Sequence, residues 1–111
     1  MEIDKVESLD KAFELIFRWG KIRGLINPLN APKQFMKCTE ELGEGCSAYL
    51  KDDNAKLEDF LGDYFVTGVI LCHQLGKNPL DMIKIALNEI WERKGQLVNG
   101  TFVKEEDLVK K

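Results

Sequence analysis

The chain has 111 residues, which suits one domain, and 44% hydrophobic with 32% charged residues is a globular composition rather than a disordered one. Sixteen Lys and Arg against nineteen Asp and Glu give a formal net charge of -3, which argues against nucleic-acid binding through bulk positive charge. No apolar run is long enough to cross a bilayer and the stretch Met1 to Asp10 is polar, so no membrane partner and no signal peptide are expected. Cys38, Cys46 and Cys72 are an odd number without metal-type CxxC spacing. Their apolar neighbours predict reduced core thiols and a cytoplasmic setting.

The first predicted helix runs from about Ser8 to Lys21, with Leu9, Phe13, Ile16 and Phe17 at helical spacing. Gly24, Asn27, Pro28 and Asn30 then mark a structured loop. Pro32 suits the first turn of a second helix, along which Phe35, Cys38, Leu42, Cys46 and Tyr49 make an expected core stripe. Lys51 to Asn54 is a short polar break, with Asp53 or Asn54 able to cap the next helix. The third helix is expected from about Ala55 to Leu75, on a seven-residue rhythm of Leu57, Leu61, Tyr64, Gly68, Leu71 and Leu75, and Gly76 closes it. Asn78 and Pro79 open a fourth helix, with Met82, Ile83, Ala86 and Ile90 inward, ending near Gly95. From about residue 96 the chain reads as a partly extended tail. The expectation is an all-α fold: a four-helix bundle in one domain, 1–111, completed by association.

The acids on helices two and three carry the chemistry. Glu41 and Glu44, and Glu40 and Glu44, share a face at spacings of three and four, as do Asp59 and Asp63. A short connection makes the two helices an antiparallel hairpin, in which residues whose numbers sum to about 105 lie level. Both acid groups then stand at one height. Two unit charges about 4 Å apart repel by roughly 4 kcal/mol at an intermediate dielectric, so such a cluster takes up protons or binds a cation. Oxygen donors without His or Cys favour Mg²⁺, with Mn²⁺ possible, over zinc. The bland alternative is a solvated acidic face. Gly43, Gly45 and Gly62 fall inside these helices at a cost of roughly 0.8–1 kcal/mol each relative to Ala. Close helix packing or room for a ligand would each explain them.

The run Gln34-x-x-Lys37-x-x-Glu40-Glu41-Leu42-Gly43-Glu44, followed by Leu61-Gly62-Asp63-Tyr64-Phe65-Val66, resembles the MazG-like all-alpha nucleoside triphosphate pyrophosphohydrolases. Trp19, Arg23-Gly24-Leu25, Arg93-Lys94-Gly95 and Asn99-Gly100-Thr101-Phe102-Val103-Lys104 extend the resemblance over nearly the whole chain, towards short phage and bacterial versions. It implies a four-helix MazG-like bundle and Mg²⁺-dependent cleavage of (deoxy)nucleoside triphosphates to monophosphate and pyrophosphate. It also implies metal ligation by Glu41, Glu44 and Asp63, with Glu40 orienting or deprotonating the attacking water. The position of the second motif's glutamate holds Phe60, which cannot bind a metal; Asp59, one residue earlier, is its expected substitute.

Lys37 is a candidate for a phosphate or for pairing with Glu41 one turn away. Arg93 and Lys94 are phosphate candidates by resemblance, against simple placement at a helix C-terminus. Asn88 is a further candidate for sugar or phosphate. Trp19 and Phe35 offer a flat surface for a base or serve the core, and His73, far from the acids, reads as structural or solvent-facing. A homodimer or homotetramer is expected, since so short a chain makes a thin core. The reading of a different class is a helical nucleotide-binding or interaction protein that has lost turnover, favoured by Phe60.

Overall fold

The structure, a computed structural model, describes residues 2–108. It is mainly helical, in the order α1 (Leu9–Ile22), α2 (Ala31–Leu50), α3 (Asn54–Gln74), α4 (Pro79–Ile90), β1 (Gly95–Val98), β2 (Thr101–Lys104) and α5 (Glu105–Leu108), with short 3-10 turns at Ile3–Lys5 and Pro28–Asn30. The chain divides into two compact units between Pro79 and Leu80.

In the first unit the helix ends follow local chemistry. The Ser8 hydroxyl caps α1 by accepting from the Lys11 amide at 3.1 Å, and Asp53 caps α3 by accepting from Lys56 at 3.2 Å. Gly76, at φ +70, closes α3 in the left-handed conformation that suits glycine. The α2–α3 connection is tight: Asp52 takes φ +54, and the Asp53 amide donates back to the Ala48 carbonyl at 2.9 Å. The result is the expected antiparallel hairpin. Gly45 faces Phe60 across it, so closely that a Cβ on Gly45 would lie 2.6 Å from the ring. Nearer the open end, the Gln34 amide donates to the Thr67 carbonyl at 3.0 Å. Helix α1 leans on α3 where Gly20 meets Ile70.

The expected core stripes do not form the core of this unit. The buried residues of α2 are Ala31, Glu41, Gly45 and Ala48, and those of α3 are Thr67, Val69, Ile70 and Gln74. Phe35, Leu42, Tyr49, Leu61, Tyr64 and Phe65 stand exposed. The reason is steric. Small residues on the facing side of α2 let α3 approach, and bulky side chains on the neighbouring faces are left outside that groove. Cys46 is likewise exposed, while Cys38 and Cys72 are half-buried, and all three are unpaired thiols.

In the second unit α4 is followed by a two-stranded antiparallel hairpin that pairs Gly95 with Lys104 and Val98 with Thr101. Its two-residue turn is Asn99-Gly100, at φ +51 and +83, the left-handed pair that matches strand twist. The tail expected to be partly extended therefore contains this hairpin, and the Glu105 amide donates to the Lys94 carbonyl at 2.8 Å to start α5 beside it. No helix among the described residues is long and apolar enough to cross a membrane.

Candidate functional site

Glu41 is the centre of the candidate site. It projects from the inner face of α2 and is only 5% exposed, an unusual position for a carboxylate. Burial, then the charge of Asp63 and then that of Glu44, push its carboxyl above the ordinary glutamate range; Lys37 pulls the other way. The Lys37 Nζ stands 3.6 Å from Glu41 Oε1 in a pair whose lysine is half exposed. One cation does not offset what burial and two acids impose.

Glu41, Asp63 and Lys37 line one open cleft of about 530 Å³ between α1, α2 and α3. Trp19, Val66 and Ile70 give the cleft its apolar wall. Trp19 is 44% exposed, and the Arg23 guanidinium lies over its ring at 4.5 Å. Three amides, Asn30, Gln34 and Gln74, also line the cleft. Asp63 and Gln74 are eleven residues apart on α3, which is about 16 Å along the helix axis. The cleft is therefore long, with Glu41 and Asp63 towards one end and Lys33 also on its lining.

The other expected ligands lie elsewhere. Glu44 and Asp59, both exposed, line a second concavity of about 400 Å³ near the closed end of the hairpin, together with Lys51, Lys56 and Phe60. The Phe60 ring fills the space against Gly45 and leans on Tyr64 at 5.3 Å between centroids. It lines the same concavity as Asp59. Glu40 is exposed on α2 and is not part of the cleft lining. Among the described residues no three His, Cys, Asp or Glu side chains stand close enough to hold a metal ion unaided.

Asn88, Arg93 and Lys94 belong to the second unit. Arg93 lies 3.5 Å from Glu89, and with Lys94 and Lys104 it lines an open concavity that also carries Glu92, Glu105 and Glu106. Asn88 is exposed on α4. In the first unit, Phe35 is 54% exposed, and His73 stacks on Phe17 at 4.0 Å, where burial lowers its pKa. Sequence reasoning passed over Gln74, which is 1% exposed at the inner end of the cleft. Its one signal was a lone amide between Leu71 and Leu75 on an apolar helix.

No family model matches the sequence, and no solved structure matches it either. The chain is similar to an uncharacterized 18.2 kDa protein encoded in the rep-hol intergenic region of Haemophilus phage HP1 (strain HP1c1), at 36% identity over 75 residues. The match takes in 68% of this chain and 44% of that relative, so this chain spans less than half of the relative's length.

Proposed function

We propose that this protein is a Mg²⁺-dependent nucleoside triphosphate pyrophosphohydrolase of the MazG-like kind, working as a homodimer or homotetramer. One observation supports the reading: Glu41 is a buried carboxylate that shares its cleft with Asp63, with only the half-exposed Lys37 paired to it. Such a group is tolerable if it holds a proton or if a divalent cation arrives.

The donor set suits magnesium in one specific sense. All the donors are carboxylate oxygens, but no protein-only cage is gathered among the described residues. Magnesium is commonly held by one or two carboxylates, with phosphate oxygens and waters completing its octahedron. Glu41 and Asp63 would be those two carboxylates, for an ion carried in on the triphosphate. The bound ion supplies charge neutralisation at the anhydride being cleaved and orients the nucleophile. Glu44, one turn beyond Glu41, already acts on it through its charge and would shift towards the same centre.

Lys37 pairs with Glu41 and stands ready to exchange that partner for a phosphate oxygen. Glu40, on the adjacent exposed position, takes the role of orienting or deprotonating water that the resemblance implies. Trp19 supplies a flat apolar wall for a base. In the second unit, Arg93, Lys94 and Asn88 are the phosphate or sugar candidates that the resemblance implies. Exposed Leu61, Tyr64 and Phe65 on α3 and Phe35, Leu42 and Tyr49 on α2 support association, because a lone chain leaves them in water.

The second reading is a binding protein without turnover. Phe60 favours it, since the residue that would complete the acidic motif instead packs against Gly45. Pyrophosphate release from a panel of nucleoside triphosphates, with and without Mg²⁺, separates the two. Metal-dependent release lost in Glu41→Gln supports the hydrolase; nucleotide binding with no release supports the binding protein.

A further inference from the structure

Along α2 the cleft carries three charges at successive turns. Lys33, Lys37 and Glu41 follow one another at steps of four residues, which keeps them near one face and about 6 Å apart along the helix axis. All three line the cleft. Lys37 is the partner of Glu41 at 3.6 Å. Lys33, exposed on the same lining, has no acid within ion-pair reach among the described residues. The level of Lys33 is set by its neighbours. The Gln34 amide bond to the Thr67 carbonyl, at 3.0 Å, places the start of α2 beside the residues that follow Thr67 on α3. Ile70 is one of these, and it is also where α1 rests on α3 through Gly20, the residue after Trp19. The apolar wall and the unpaired lysine therefore stand together. Glu41 and Asp63 lie about two helical turns further along the hairpin.

A ligand that is flat and apolar at one end and polyanionic at the other fits such a cleft in one direction. Reversed, it would set its anionic tail against Trp19, Val66 and Ile70 and its ring among carboxylates. We infer that the nucleoside end lies at Trp19 and that Lys33 holds the phosphate nearest the ribose, while the outer phosphates and their cation reach Glu41 and Asp63. The inference rests on the nucleotide reading above and deepens it, by giving the cleft a direction and Lys33 a phosphate. An ammonium on a flexible stem suits that task as a point charge, and Lys37 already has a carboxylate to hold. The part of the substrate that becomes the monophosphate and the part that becomes pyrophosphate are thus bound by different residues.

The test uses the whole chain and ligands that lack the α–β bond to be cleaved, each titrated by calorimetry. They are the four deoxynucleoside monophosphates, their parent deoxynucleosides, and pyrophosphate with Mg²⁺. For at least one base, wild type should bind the monophosphate about 10-fold or more tighter than its nucleoside, the size of one charge-assisted hydrogen bond. Lys33→Gln should erase that preference and leave the affinities for the nucleoside and for Mg²⁺ pyrophosphate unchanged. The comparison of monophosphate with nucleoside in wild type needs no variant, so a folding defect does not decide the matter. No preference in wild type, an unchanged preference in Lys33→Gln, or an equal loss for all three ligands would each overturn the inference and leave metal-dependent pyrophosphate release standing. Absence of binding by these ligands and by α,β-methylene triphosphates in Mg²⁺ would overturn both.

Discussion

Glu41 and Asp63 face one another across the α2–α3 hairpin, and after burial itself the charge of Asp63 is the largest reason that the Glu41 carboxyl clings to its proton. A residue held in that state weakens the fold whenever it is ionised.

Glu41→Gln should therefore raise the melting temperature at neutral pH. The sign follows from linkage: a raised folded-state pKa means that the stability is complete below the unfolded value, about 4.3, and is lost as pH rises through the folded value. The gain from Gln should shrink to nothing when the two proteins are compared in acid. The same variant should lose metal-dependent turnover by about 100-fold. Thermal melts across pH, beside a pyrophosphate assay, check both halves.

Asp59 and Asp63 should behave differently although both are acids on α3. Asp63 shares the cleft of Glu41, and Asp59 lines the concavity beyond Phe60. Mg²⁺ with a non-hydrolysable triphosphate at 100 times the dissociation constant should stabilise wild type by about 2.7 kcal/mol. Asp63→Asn should abolish that shift, and Asp59→Asn should leave it. Equal loss in both would mean that Asp59 reaches the metal.

Gly45→Ala should cost about 1–3 kcal/mol in urea unfolding, because the new methyl meets the Phe60 ring near its attachment to the backbone, where it cannot swing away. Phe60→Leu should soften that penalty. Gly43→Ala meets nothing within 4 Å in the single chain, so for an isolated subunit it should stabilise by up to about 1 kcal/mol.

Association should be visible directly. Sedimentation of the wild-type chain should give a dimer or tetramer, and Leu61→Glu with Phe65→Glu should give monomers, since both side chains are more than half exposed on α3. A wild-type monomer at every concentration would remove the oligomer from the proposal.

His73 gives a pH signature of the opposite kind. Burial against Phe17 lowers its pKa, so its contribution is present above the unfolded value, about 6.5, and is lost as pH falls through the folded one. The urea midpoint of His73→Leu should fall less than that of wild type between neutral pH and pH 5.

The features legible in the sequence were those that depend on near neighbours. Ser8, Asp53 and Gly76 mark helix ends through bonds made within a few residues, and a short polar break between two helices sets a register that Gly45 and Phe60 obey. The inner face of α2 was not legible. Periodicity ranks faces by bulk, and Phe35, Leu42 and Tyr49 outweigh Ala31, Gly45 and Ala48 there, yet the small residues are the ones that another helix can approach. Asn99-Gly100 was a readable hairpin signal within a segment expected only to be extended. Spacing set Glu41 and Asp63 at one height, and both line the same cleft. Glu44 and Asp59 line another concavity together with the Phe60 ring, whose direction spacing does not fix.

The Gly45–Phe60 contact also constrains how such a chain can change. An acid placed at position 60 would leave a hollow beside a bare backbone, and a side chain added at 45 would strike the ring. Neither step is neutral alone, so the two sites are bound to drift as a couple. A relative with a smaller residue at position 60 would be recognisable by a second substitution fifteen residues upstream.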